Sequence, residues 1–227
     1  MPRIKICGIR TLEEAHWAIE SGADALGFIF VPYSKRYIKP RTAREIILRL
    51  PPLINKVGVF AQESPEHVGQ IIRECSLDTL QLHGNDDPRL YHHLPVTKIK
   101  ALSFPSVPDF ALDADPTPQS FLAQLRELPP ASLHGILLDS ASRGMAGGTG
   151  IPLPWHTPAF QDLLRRVKDL GYPLILAGGL SPDNISEAIR LTRPYGVDVS
   201  SGVEQGGRKD PGKIQHFISQ VRKEPPL

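Results

Sequence analysis

The chain has 227 residues, enough for one large domain or two small ones, and its 41% of hydrophobic residues excludes a disordered or fibrous protein. Its 26 Lys and Arg against 24 Asp and Glu leave a formal charge of +2, which argues against a nucleic-acid partner but allows a local basic pocket for an anionic metabolite. No apolar run reaches the roughly 20 residues of a membrane span, and with no signal-peptide layout and only two cysteines we expect a cytoplasmic protein without a membrane partner.

Short apolar runs recur along the chain and are predicted as eight strands. Each is about four to six residues long, as expected for strands that helices cover. In chain order they are Ile4–Cys7, Ala25–Phe30, Lys56–Phe60, Thr79–Leu82, Thr97–Ala101, Gly135–Leu138, Leu174–Ala177 and Val197–Ser200.

Helices are predicted between these strands, several with a recognisable first turn. Thr11 to Glu14 is a capping box before an apolar stripe. Ser64-Pro65 and Ser181-Pro182 each place a capping serine before a proline at the first helical position. The other predicted helices are Thr42–Leu50, Asp86–Leu94, Ser120–Leu128, Thr157–Leu170 and Asp210–Val221.

Eight strands alternating with eight helices fit either a closed barrel or a doubly wound sheet. No Gly-x-Gly-x-x-Gly motif follows the first strand, where a dinucleotide-binding sheet would carry it. Polar residues instead end the first, fourth, sixth, seventh and eighth strands, which indicates a ligand gathered from all around a rim. We therefore predict an α/β protein, an eight-stranded parallel (β/α)8 TIM barrel that forms a single domain over residues 1–227.

Cys7 ends the first predicted strand and is a candidate for chemistry. Alternation along the strand places it on one face with Lys5, while Ile4 and Ile6 suit the helix layer, so Lys5 and Cys7 should point into the barrel. We expect the Lys5 ammonium to lower the pKa of the thiol, although burial acts the other way. A cysteine is more often a small buried hydrophobe, and Cys75 on the third helix keeps that interpretation.

Two charged residues that follow strands are further candidates. Asp139 comes after four apolar residues, and burial at a barrel mouth would raise its pKa toward the value that a general acid needs near neutral pH. Taken alone, an Asp that caps its own turn is the commoner interpretation. Arg36 offers a planar fork suited to a carboxylate or phosphate, with a solvated basic loop as the alternative.

Glycine-bearing turns follow the last three predicted strands. Barrels frequently hold phosphate in the loops after strands seven and eight, with backbone N–H groups and a short helix N-terminus. The run Gly144–Gly150 after the sixth strand is predicted to be a flexible lid. The candidate phosphate ligands are Gly178, Gly179, Ser200, Ser201 and Gly202.

Eight short motifs, in order from about residue 3 to residue 218, together resemble the phosphoribosylanthranilate isomerases of tryptophan biosynthesis. Each stands at the end of a predicted strand or in the loop that follows it. They are KICGI at 5–9, SKRY at 34–37, VGVF at 57–60, QLHG at 81–84, LLD at 137–139, GGTG at 147–150, GGL at 178–180 and DVSSGVE at 198–204.

The resemblance implies an aldose–ketose isomerase that performs an Amadori rearrangement without a metal or organic cofactor. Its substrate would be N-(5-phosphoribosyl)anthranilate and its product 1-(2-carboxyphenylamino)-1-deoxyribulose 5-phosphate. By position, Asp139 would be the general acid that protonates the ribose ring oxygen, and Cys7 the general base that removes the proton from C2. Arg36 would hold the anthranilate carboxylate and the last two turns the phosphate. Three residues facing the same mouth would be further substrate contacts: Gln81, His83 and Asp198.

Two other functions stay open at this point. Another phosphosugar-binding barrel isomerase or epimerase would use carboxylates or metal ligands where this chain has Cys7. A non-catalytic barrel that binds a phosphorylated metabolite would be expected to have lost Cys7 or Asp139, and both are present. In each case the partner is a small phosphosugar, and no oligomeric state is predicted.

Overall fold

A computed structural model describes residues 1–84, 86–105, 126, 132–141 and 152–225. Within these ranges, eight parallel strands pair in chain order, and the first also pairs with the last, so the predicted α/β barrel is confirmed. The barrel strands are β1 Arg3–Cys7, β2 Ala25–Ile29, β3 Asn55–Phe60, β4 Thr79–Leu82, β5 Thr97–Pro105, β6 Gly135–Ala141, β7 Leu174–Leu176 and β8 Gly196–Val199.

Strands β5 and β6 are longer than predicted. The prediction ended them at Ala101 and Leu138. The ladder between them continues through the pair Ser103–Asp139 to Pro105–Ala141, because backbone pairing does not require apolar side chains. Asp139 therefore lies within a strand and not in the loop after it.

Helices cover the outside of the barrel in the described ranges. Thr11 and Ser64 cap their helices as predicted, each accepting a hydrogen bond from the backbone N–H three residues later. The α-helices are α1 Leu12–Glu20, α2 Pro40–Ile47, α3 Pro65–Cys75, α4 Pro158–Asp169, α5 Ile185–Thr192 and α6 Pro211–Lys223. The structure also has two 3₁₀ helices, Pro88–Tyr91 and Ser201–Val203. A two-stranded hairpin consists of β9 Glu204–Gln205 and β10 Arg208–Lys209.

The start of α5 differs from the prediction. Ser181-Pro182 precedes the helix in a turn, and Asn184 stands directly before Ile185. The Asn184 side chain accepts from the Ser181 N–H at 2.9 Å and donates to the Gly179 carbonyl oxygen at 2.9 Å. This pair of hydrogen bonds closes the turn and delays the helix.

The predicted helix Asp86–Leu94 is wrong in type, since the structure has only the 3₁₀ helix Pro88–Tyr91 there. Asp87 caps that helix by accepting from the Arg89 N–H. The predicted helix Ser120–Leu128 lies outside the described residues except for Arg126, and the predicted lid Gly144–Gly150 lies outside them altogether.

Side-chain alternation along the strands separates an outer core from the barrel interior. Ile4 and Ile6 of β1 pack with the helix layer in a continuous apolar cluster. Inside the barrel, a smaller apolar cluster contains Ile99, Ala101, Leu137 and Ala177. In the part of the chain that the structure describes, no helix combines the length and apolar character needed to cross a membrane.

Candidate active site

A cavity of about 250 Å³ opens at the carboxyl ends of the barrel strands. Its wall contains ten of the eleven residues predicted as site residues: Cys7, Arg36, Gln81, His83, Asp139, Gly178, Gly179, Asp198, Ser200 and Ser201. Gly202 is not part of this wall, and a Cβ atom on it would collide with the Leu180 carbonyl oxygen. Gly202 therefore allows the turn after β8 to pack against the turn after β7.

Lys5 and Asp198 form a buried ion pair inside the rim, on the neighbouring strands β1 and β8. The Lys5 Nζ lies 2.8 Å from the Asp198 Oδ2, and their side chains are 6% and 8% exposed. Gly27 on β2 leaves room beside them, since a Cβ there would stand 2.7 Å from the Cys7 Sγ and 3.0 Å from the Lys5 Cε. The predicted inward orientation of Lys5 and Cys7 is confirmed.

The pKa of Cys7 moves opposite to the expectation from sequence. Burial raises the pKa of the thiol above its ordinary value, and the charge of Asp198 raises it further. The ammonium groups of Lys5 and Lys209 lower the pKa but do not compensate for burial. The expectation that Lys5 would give a net lowered pKa is therefore wrong, because its effect is smaller than that of removing the sulfur from water.

The carboxyl group of Asp139 is partly accessible from the cavity. Burial raises its pKa to about 6, and the charge of Asp198 acts in the same direction. A hydrogen bond from the Ser140 N–H, 2.8 Å from the Asp139 Oδ1, and the cations Lys5 and Arg36 act in the opposite direction. The predicted rise of this pKa is confirmed, and both protonation states of Asp139 are populated near neutral pH.

The guanidinium of Arg36 is already held by a carboxylate of the protein. Its Nε donates to the Glu204 Oε1 at 2.7 Å and its Nη2 to the Glu204 Oε2 at 2.9 Å. The sequence predicted that the Arg36 guanidinium would bind a ligand carboxylate. In the structure, its Nε and Nη2 atoms already donate to Glu204. The Nη1 atom has no hydrogen-bond acceptor among the described residues.

Glu204 and Lys209 belong to the site network but were not singled out from the sequence. The Lys209 Nζ donates to the Glu204 Oε1 at 2.8 Å and to the Ser200 carbonyl oxygen at 3.0 Å. Burial alone would raise the pKa of Glu204, but Arg36 and Lys209 lower it to about 2, so Glu204 is a carboxylate. Glu204 ends the DVSSGVE motif, which was an available signal, whereas nothing in the sequence marks Lys209.

Three buried polar atoms of the wall lack a hydrogen-bond partner in the described ranges: the Gln81 Oε1, the His83 Nε2 and the Asp198 Oδ1. Burial lowers the pKa of His83, and Lys100 and Lys5 lower it further, so its imidazole is neutral at pH 7. An unsatisfied buried polar group costs about 1–3 kcal/mol. Three of them around one cavity suit a ligand that carries hydroxyl groups.

The turn after β7 forms part of the cavity wall. Gly178 and Gly179 have φ of +75° and +62°. The N–H groups of these two residues and of Leu180 have no hydrogen-bond acceptor among the residues described. Ser201, in the facing turn, opens the short 3₁₀ helix after β8. Such N–H groups can bind an anion.

In the described part of the chain, no group of three or more His, Cys, Asp or Glu side chains is arranged so that it could hold a metal ion.

Comparison with protein families gives a match along nearly the whole chain. The model of the family described as N-(5'-phosphoribosyl)anthranilate (PRA) isomerase matches residues 4–220. A protein of that name from Desulfitobacterium hafniense (strain Y51) is 75% identical over 237 aligned residues, which cover 100% of both chains. Another, from Moorella thermoacetica, is 44% identical and covers 98% of this chain and 91% of the relative.

Solved structures agree with this match. Phosphoribosyl anthranilate isomerase from Thermotoga maritima is 36% identical with a TM-score of 0.80, covering 99% of this chain and 100% of that one. A second structure of such an isomerase, in complex with reduced 1-(o-carboxyphenylamino)-1-deoxyribulose 5-phosphate, is 36% identical with a TM-score of 0.77 at the same coverage.

Proposed function

The chain belongs to the N-(5'-phosphoribosyl)anthranilate isomerase family, and we propose that Asp139 and Cys7 are the general acid and general base of this isomerase of tryptophan biosynthesis. The observation that carries the assignment is that one cavity holds two proton-transfer groups on non-adjacent strands. One is a carboxyl with a pKa of about 6, and the other is a buried thiol beside an ammonium. Such a pair, in divergent environments, suits acid–base catalysis.

Ring opening is the task of Asp139. In its protonated form, Asp139 donates to the ring oxygen of the ribose, the bond between C1 and that oxygen breaks, and the nitrogen lone pair forms an iminium. Asp139 is left as a carboxylate. With a pKa of about 6, roughly one Asp139 in ten carries its proton at pH 7, which is enough for a general acid.

Proton removal from C2 is the task of Cys7. The thiolate takes the C2 proton, and the released electron pair forms a C1=C2 bond while the iminium becomes a neutral amine. The enolamine then tautomerises to the ketone. Because burial raises the pKa of Cys7, the thiolate is the minor form at rest, and the positive charges of Lys5 and of the iminium both favour it. Only protons and electron pairs move, so the side chains suffice for the reaction.

The substrate would lie across the cavity between two anion sites. The turns after β7 and β8 would bind the phosphate, and the Nη1 edge of Arg36 would bind the anthranilate carboxylate. The unsatisfied atoms of Gln81, His83 and Asp198 would bind sugar hydroxyls.

We further propose that residues 1–227 act as one barrel domain in the cytoplasm, with this small phosphosugar as the partner and no nucleic acid or membrane. Two cysteines, both free, suit a reducing compartment.

A turnover assay with freshly generated N-(5-phosphoribosyl)anthranilate tests the assignment. The parent chain should convert it, and the double variant Cys7→Ser/Asp139→Asn should bind the reduced product analogue without converting substrate. Cys75→Ser is a matched control, because Cys75 is also buried but lies on α3 away from the cavity. Failure of the parent to turn over, or turnover by the double variant, would contradict the proposal.

A further inference from the structure

We propose that Glu204, supported by Lys209, is a positioning residue that fixes the guanidinium of Arg36 and thereby sets the preference for a substrate with an aryl carboxylate. This inference rests on the proposed function, in which Arg36 binds that carboxylate. Glu204 and Lys209 are absent from the cavity wall, so they act on the substrate through Arg36.

The contact between Arg36 and Glu204 fixes both the position of the guanidinium and the orientation of its plane. Both carboxylate oxygens accept from the guanidinium, at 2.7 and 2.9 Å, and both side chains are only 10% exposed. A bidentate pair of this kind holds the guanidinium in one orientation. Since Glu204 occupies the Nε–H and one N–H of Nη2, the two N–H groups of Nη1 and the second N–H of Nη2 remain for a ligand.

The charges of the cluster explain why an acidic residue stands next to an anion-binding site. Without Glu204, the cations of Arg36 and Lys209 would be buried with no counter-charge between them. Burial already lowers the pKa of Lys209, and Glu204 opposes that effect. With Glu204 as a carboxylate, the three groups carry a net charge of +1, which attracts one ligand carboxylate and keeps Arg36 in place.

The same network reaches the general base. Lys209 donates to the Ser200 carbonyl oxygen at 3.0 Å, and the Ser200 hydroxyl donates to the Cys7 carbonyl oxygen at 3.0 Å. Arg36 is therefore connected to the end of β1, where Cys7 lies, by hydrogen bonds through Glu204, Lys209 and Ser200.

Two ligands measure the preference directly. One is reduced 1-(o-carboxyphenylamino)-1-deoxyribulose 5-phosphate, and the other is the same molecule without the ring carboxylate. Calorimetry gives a Kd for each, and their ratio is the carboxylate preference. We expect Arg36→Met to bring the ratio close to one, and Glu204→Gln to reduce it by about tenfold while the ligand without the carboxylate binds within about twofold of the parent.

Two further variants sharpen the test. Glu204→Asp keeps the charge but is one methylene shorter, so its ratio should lie between those of the parent and Glu204→Gln, and it serves as the test if the Gln variant does not fold. Glu45→Gln is the matched control, because Arg41 and Glu45 form an exposed pair at 3.3 Å on α2, and it should leave the ratio and the kcat unchanged. In turnover, Glu204→Gln should raise KM more than it lowers kcat.

Three results would overturn the inference. If Glu204→Gln keeps the parental ratio while Arg36→Met loses it, Glu204 does not position Arg36. If Glu204→Gln weakens both ligands equally and lowers the unfolding temperature, its role is structural. If Arg36→Met keeps the ratio, Arg36 does not bind the carboxylate, and that part of the proposed function fails as well, whereas the assignment of Asp139 and Cys7 is tested separately by turnover.

Discussion

Strand β1 carries two cations, Arg3 at the amino end of the barrel and Lys5 nearer the rim, and each pairs with an aspartate. Asp24 accepts from the Arg3 Nη1 at 2.9 Å, from the Ile4 N–H at 2.8 Å and from the Arg222 Nη2 at 2.9 Å. Both of its oxygens are satisfied, and it joins β1 to α6.

The ion pair at the rim is less complete. Asp198 accepts from Lys5 through Oδ2, while its Oδ1 is buried without a partner in the residues described. The Arg3 side chain is 67% exposed and the Lys5 side chain 6%. The pair at the amino end is therefore exposed and fully hydrogen-bonded, whereas the pair at the rim is buried and leaves one carboxylate oxygen without a partner among the described residues.

The pKa values follow the same division. At the amino end, hydrogen bonds from Ile4, Arg3 and Arg222 outweigh burial and lower the pKa of Asp24. At the rim, burial outweighs the neighbouring cations and raises the pKa of both Asp139 and Cys7. The satisfied carboxylate is held in its charged form, and the two proposed catalytic groups are shifted toward their neutral forms.

The largest effect is expected from Asp139→Asn. Asparagine has the same shape but cannot donate an acidic proton to the ring oxygen, so kcat should fall by about a thousandfold while the Kd of the reduced product analogue changes little. Steady-state kinetics and calorimetry measure the two quantities. A change in KM with kcat preserved would make Asp139 a binding residue.

Cys7→Ser should reduce kcat by about a hundredfold or more, because a hydroxyl is a far weaker base than a thiolate. The fold and ligand binding should be retained, which circular dichroism and calorimetry check. Turnover close to that of the parent would exclude Cys7 as the base and would leave the ion pair of Lys5 and Asp198 without a catalytic partner.

The pH dependence of kcat/KM should show a plateau. The proposed mechanism needs protonated Asp139 and ionised Cys7, and the pKa of Asp139 is about 6 while that of Cys7 is raised above its ordinary value. Below about pH 6 the thiolate fraction grows with pH and the rate rises. Between the two pKa values the loss of protonated Asp139 cancels the gain of thiolate, and above the pKa of Cys7 the rate falls. A steady decline from pH 6 to 8 would show that no thiolate is required.

The smallest effect on activity is expected at the amino end of the barrel. Asp24→Asn should lower the free energy of unfolding in urea by about 1–3 kcal/mol and leave kcat/KM unchanged. Because folding lowers the pKa of Asp24, its contribution is present above the pKa of the unfolded state and is lost as pH falls through the folded one. The stability difference between parent and variant should therefore shrink in acid. A loss of activity at neutral pH would break the division between the two ion pairs.

The sequence was sufficient for features that depend on local pattern. Alternation on β1 placed Lys5 and Cys7 in the barrel because a strand has only two faces, and the family motifs located the cavity wall correctly. The ends of β5 and β6 were missed because the ladder continues through polar residues such as Ser103 and Asp139. The Ser181 hydroxyl accepts from the Asp183 N–H as a cap would, but the regular helix begins only at Ile185, because the Asn184 side chain closes the turn before it.

Other features depend on contacts across long stretches of chain. Arg36 and Glu204 are 168 positions apart. The sequence therefore predicted an Arg36 guanidinium with all its N–H groups available to a ligand, and not one that already donates to Glu204. The pKa of Cys7 depends on the balance of burial against two ammonium groups, one of which, Lys209, comes from a hairpin that the sequence did not predict. The sign of such a balance requires the fold.

Alkylation of Cys7 by a small thiol reagent, followed by peptide mass spectrometry, tests most directly whether this thiol stands in the phosphosugar site with a raised pKa. The reaction should accelerate with pH along one titration with a midpoint above about 8.5. The reduced product analogue should slow it, and Cys75 on α3 should react at a rate that is independent of the analogue. If the analogue binds but leaves the alkylation of Cys7 unchanged, Cys7 is not in the substrate site, and its assignment as the general base is wrong.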